Sequence, residues 1–115
     1  MELALTTQLQ LTSKNNMLKR IVKLSIQNNK KTQFIDLFEK NHHLISSFKG
    51  CISVELVKDV NANNIFFTYS LWENENALNN YRNSILFKGI WSETKTFFCD
   101  KPEAWSLQSI TKKTV

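Results

Sequence analysis

Among 115 residues there are two glycines, one proline and two cysteines. So few chain-breaking residues exclude a loop-rich or low-complexity chain and point to long regular elements with short connections. Cys51 and Cys99 fit no metal-ligand or redox spacing, so neither a zinc motif nor a disulfide framework is expected, and both read as buried thiols. No apolar run reaches membrane-spanning length, and no membrane partner is expected. The opening "MELALTTQLQLTSKNN" lacks the basic start, sustained apolar stretch and cleavage signal of a secretory leader, so the cytoplasm is the expected location. Residues 1–16 read as a loose extension and residues 17–115 as a single domain.

Acidic residues are absent from 14–31, where Lys14, Lys19, Arg20, Lys23, Lys30 and Lys31 fall. With a net charge of +5, that run raises nucleic acid as a partner. No aromatic residue is interleaved with these charges, as a single-strand binding surface would need, so a solvated basic face is expected and no nucleic acid.

What the chain has is aromatic bulk and clear periodicity. "MLKRIVKLSIQ" (17–27) alternates, with Leu18, Arg20, Val22, Leu24 and Ile26 on one face of a strand. "TQFIDLFEKNHHLISSF" (32–48) puts Phe34, Leu37, Phe38, Asn41, Ile45 and Phe48 at helical spacing, and Gly50 follows as a helix-ending glycine. "CISVELVKD" (51–59) alternates again, with Ile52, Val54 and Leu56 on one side. The asparagine-rich "VNANN" signals a hairpin into "IFFTYSLW" (65–72), the most strand-like segment of all.

Asn74 is an expected N-cap with Glu75 in the first turn, followed by Ala77, Leu78, Tyr81 and Ile85 as an apolar stripe. Phe87, Ile90, Trp91, Thr94 and Phe98 mark a further helical piece, and Ser84 breaks or caps between the two. Pro102 closes it before a last strand, "AWSLQSI" (104–110). The order β-α-β-β-α-β predicts an α+β, ferredoxin-like antiparallel sheet with helices on one face. Apolar side chains on both strand faces (Ile21 against Val22, Phe67 against Phe66) predict that the open face meets a partner, most simply a second copy.

With that order, "FFTYSLWENENALNNYRNSILFKGIW" (66–91) resembles the antibiotic biosynthesis monooxygenase superfamily of dimeric α+β barrels. The shared pattern is an aromatic strand ending in Trp72, then Glu73, an Ala77-Leu78 helix and a Ser84-x-x-Phe87 step, with "PEAWSL" (102–107) matching the last strand. The resemblance implies oxidation of a phenol or quinol by molecular oxygen without metal or flavin; other members degrade heme or isomerise small sugar-derived molecules. Heme chemistry is disfavoured, because Trp91 stands at the iron-ligand position and cannot ligate. His42 and His43 lie on the other helix, outside the motif, and read as helix-edge residues.

On this resemblance, Tyr81 and Arg20 are the candidate catalytic residues. Tyr81 occupies a position where many relatives carry histidine and would hydrogen-bond a substrate oxygen; as a residue of an apolar stripe it would otherwise be core. Arg20, alone among apolar neighbours, would hold a phenolate or carboxylate, or else reach solvent at the strand's end. Trp72, Phe38, Phe87, Trp91 and Ser84 are the candidate substrate-binding residues. No cofactor is expected. The alternative is a dimer of the same fold that binds a small molecule or serves a stress response without catalysis.

Overall fold

The computed structural model describes residues 17–111, so the extension expected over 1–16, Lys14 and the last four residues lie outside the described residues. The elements in order are β1 (Leu18–Ser25), α1 (Lys31–Ser46), β2 (Cys51–Lys58), β3 (Ile65–Trp72), α2 (Glu75–Arg82), α3 (Ile85–Thr94) and β4 (Glu103–Gln108). The four strands form one antiparallel sheet in the order β2-β3-β1-β4. This is the ferredoxin-like arrangement, with β1 and β3 central and the helices packed on one face.

Sequence alternation sets the two faces. Val22, Leu24, Phe66, Ser70 and Trp72 point toward the helices, and Lys19, Ile21, Phe67, Tyr69 and Leu71 point away. The basic run is therefore divided. Lys19 and Lys23 lie on the outer face and Arg20 on the inner one, so the described part forms no single cationic stripe.

Buried apolar residues gather in two clusters. One holds Leu24, Ile26, Phe34, Leu37, Phe66 and Phe97; the other holds Ile45, Val54, Trp72, Ala77, Leu78 and Tyr81. Trp91 packs against the first and Phe87 against the second, so α3 spans both.

Side-chain caps explain the helix boundaries. The Ala77 N–H donates to Asn74 Oδ1 at 2.9 Å, as an N-cap requires. After Arg82 the helix stops, and the Phe87 N–H donates to Ser84 Oγ at 3.1 Å to open α3. In the β2–β3 connection the Asp59 carboxylate accepts from the Asn61 and Ala62 N–H groups at 2.7 and 3.1 Å, a turn closed by its own side chain.

Three expectations are corrected. Ile52 does not share a face with Val54, because a bulge between Cys51 and Ser53 ejects it and leaves it exposed. Ile85 is 92% exposed rather than part of the α2 stripe, since the break at Ser84 starts a new helix with a new rotational phase. Beyond α3 the chain tightens into a 3₁₀ turn over Lys95–Phe97, which buries Phe97 and leaves Phe98 extended and half-buried.

Candidate functional site

Between the inner sheet face and the helices lies a cavity of about 540 Å³, in the usual range for small-molecule sites. Its floor is β1 and β3, through Val22, Thr68, Ser70 and Trp72. Phe38 of α1 borders it on one side, and Tyr81 of α2 with Phe87 and Trp91 of α3 on the other. Arg20, Arg82, Glu103 and Ala104 also border it, next to the edge strand β4, both of whose faces are exposed.

The aromatic wall is continuous. Tyr81 packs on Trp72 with ring centroids 5.0 Å apart, and meets Phe48 and Phe87 edge-on at 5.3 and 5.2 Å. Phe87 stacks on Trp91 at 5.8 Å with 14° between planes, and Trp91 meets Phe98 edge-on at 5.5 Å. These separations are those of favourable aromatic pairs. Helical spacing produces it: Tyr81 ends the α2 stripe, and Phe87 and Trp91 are one turn apart on α3.

Trp72 is 1% exposed and tethered through its indole N–H. Its Nε1–H donates to Ser70 Oγ at 2.9 Å, and Ser70 Oγ donates to the Arg20 carbonyl at 3.5 Å. One edge of the ring contributes to the cavity floor while its body fills the second cluster. Trp72 is thus core and pocket at once, and mostly core.

The polar groups divide between interior and rim. Burial, and secondarily the Cys51 thiol when ionised, push the Tyr81 phenol well above its ordinary range. At neutral pH Tyr81 is a neutral hydrogen-bond donor, not a base. Arg20 is lowered from its usual value by burial and then by the nearby Arg82 guanidinium. It still carries its charge at neutral pH. Arg20 Nη1 donates to Ser106 Oγ at 2.9 Å, a bond from β1 to β4.

Of the residues singled out from sequence, Arg20, Phe38, Trp72, Tyr81, Phe87 and Trp91 all border the cavity. Ser84 does not. Its hydroxyl donates to the Tyr81 carbonyl and accepts from the Phe87 N–H, so it is a helix cap and not a ligand contact. Arg82 was missed, although Leu78 and Arg82 stand four apart on α2 and both face the cavity, a spacing legible in the sequence. No histidine borders the cavity. His42 instead bonds the Val54 carbonyl through Nε2 at 2.9 Å, and His43 is exposed. Among the described residues no group of three His, Cys, Asp or Glu side chains is placed to hold a metal ion, and no helix is long and apolar enough to cross a membrane.

The class defined by the structure is a ferredoxin-like α+β domain with an aromatic-lined cavity between sheet and helices. The chain belongs to the antibiotic biosynthesis monooxygenase family, whose model matches residues 17–90. Among solved structures it is similar to a conserved protein from Methanosarcina mazei, with a TM-score of 0.81 at 16% identity over 84% of this chain and 96% of that one. A candidate antibiotic biosynthesis monooxygenase from Nitrosomonas europaea gives a TM-score of 0.78 at 11% identity, covering 84% and 92%. One from Caulobacter crescentus gives 0.78 at 15% identity, covering 90% and 99%. At these identities the structures speak for the fold alone. Among curated proteins none matches significantly in sequence.

Proposed function

We propose that this protein is a cofactor-independent monooxygenase that oxidises a small aromatic phenol or quinol with molecular oxygen, acting as a homodimer in the cytoplasm. The observation that carries the reading is the stacked aromatic wall facing a cavity with guanidinium groups at its rim. An electron-rich anion of the substrate supplies the electrons itself, so the protein has to bind it, favour its ionised form and shield it. Arg20 favours the anion electrostatically, Tyr81 donates a hydrogen bond to a substrate oxygen, and Phe87 and Trp91 exclude water.

For an anthrone the balance is one O₂ consumed per methylene converted to carbonyl, with one water released. The carbanion gives an electron to O₂, carbon and oxygen then join as a peroxide, and loss of water across the C–H and O–O bonds leaves the quinone. Oxygen uptake with anthrone and a hydroquinone panel tests this. We expect a rate above the uncatalysed one, falling about tenfold in Arg20→Gln and severalfold in Tyr81→Phe. Uptake no faster than in buffer across the panel overturns it.

The cavity's lack of histidine, with Tyr81 held neutral, favours a second reading, a domain that binds such molecules without turning them over. Saturable binding with no oxygen uptake is its signature.

The homodimer is supported by the outer sheet face. There Ile21, placed opposite both Tyr69 and Trp105, makes an apolar row with them, Leu71 and Leu107 stand on either side of Lys19 in the next row, and Trp105 and Leu107 stay 42% and 44% exposed. A second copy of the same face is a self-complementary cover. Sedimentation equilibrium should give twice the chain mass, and Trp105→Asp should shift it toward the chain mass without loss of helical circular dichroism. A monomeric wild-type protein overturns it. The two cysteines are unpaired, which accords with a reducing compartment, but neither is the buried thiol expected from the sequence: Cys51 is half-buried and Cys99 exposed.

A further inference from the structure

We propose that Arg20 and Arg82 form an anion-binding head at one end of the cavity, and that its ligand is an aromatic carboxylate. The carboxylate sits against the two guanidinium groups and the ring lies along Phe87 and Trp91. This rests on the preceding reading only in taking the cavity as the ligand site; it requires no turnover.

Three observations converge on it. Arg20 comes from β1 and Arg82 from the last turn of α2, yet both border one cavity, and the Arg82 charge is felt at Arg20. Two cations brought together from separate elements repel, and folding has to absorb that cost. Neither is neutralised among the described residues, where the one ion pair is Lys23–Glu103, at 3.6 Å. Glu103 also borders the cavity, but it is held toward Lys23, its register partner on β1. Arg20 uses one N–H of its five on Ser106. The rest of the fork remains for a ligand.

The remainder of the lining selects the other half of the molecule. Next to this charge stand rings and aliphatic side chains, among them the parallel Phe87–Trp91 pair. A planar apolar body with one oxyanion end matches both regions, and a guanidinium fork matches a carboxylate in geometry as well as charge. A neutral aromatic would leave two like charges uncompensated beside it.

The test uses 2-naphthoate and 2-naphthamide, which share shape and differ in charge. Isothermal titration calorimetry on the full-length protein should show naphthoate binding at least tenfold more tightly than the amide. Arg82→Gln and Arg20→Gln should each cut that ratio severalfold, with amide affinity kept within about twofold. Arg82 is exposed, so its replacement leaves the core intact, and circular dichroism verifies folding of both variants. Equal affinity for acid and amide overturns the proposal, as does a preference that survives in the double variant or the absence of binding by either probe. Failure here is distinguishable from failure of the oxygenase reading. Anthrone turnover without charge preference removes the anion head alone, and charge preference without oxygen uptake removes the oxygenase alone.

Discussion

Trp72→Ala should lower stability by about 3–5 kcal/mol, the cost of truncating a large buried aromatic. In a domain of this length that is roughly 10–20 °C in melting temperature. Trp72 is 1% exposed, so its whole transfer free energy is at stake. Two features place the change toward the upper end. Tyr81, 5.0 Å away, loses its stacking partner, and Ser70 Oγ loses the indole donor at 2.9 Å. The void also opens onto an existing cavity, so neighbours cannot collapse from all sides to fill it.

Trp72→Phe separates the two contributions, because it keeps most of the ring and removes the N–H. A loss of about 1–2 kcal/mol is expected there. Urea unfolding monitored by far-ultraviolet circular dichroism measures both changes. A Trp72→Ala protein within 1 kcal/mol of wild type would mean that the tryptophan is mainly a cavity lid, contrary to its packing.

Trp72 also marks how far the sequence could be read. Strand alternation and aromatic content located β3 to the residue, and the asparagine and serine caps located both helix starts, because these signals are local. Six of the seven candidate site residues border the cavity for the same reason: period 2 on β1 and period 3.6 on the helices decide which side chains face inward. What escaped was set by contacts between distant segments. The bulge at Ile52 arises in the pairing of β2 with β3, and no pattern within "CISVELVKD" announces it. Phe97 rather than Phe98 is buried because the last turn tightens where Ile26 bridges to Phe98. Arg82 was passed over because a charged residue at a helix end reads as solvated until another element supplies the cavity beside it.

Two glycines make a final contrast, since the same substitution should act with opposite sign at each. Gly50→Ala should destabilise by about 2–5 kcal/mol, combining left-handed backbone strain with overpacking. Gly50 has φ +88°, and a Cβ there would overlap the Ala77 Cβ. The position has no room to retreat. The Gly50 carbonyl accepts from the Glu73 N–H at 2.9 Å, and Ala77 is pinned in the first turn of α2 by the Asn74 cap. The corner leaving α1 therefore docks directly on the start of α2, and only a residue without a side chain permits both the turn and the approach. Gly89 lies inside α3, is exposed and has open space where a Cβ would go. Gly89→Ala should instead stabilise by about 0.5–1 kcal/mol, by restricting the unfolded chain and favouring the helix. Paired urea denaturation curves decide it: equal shifts in one direction would show that neither the turn nor the contact with Ala77 governs Gly50.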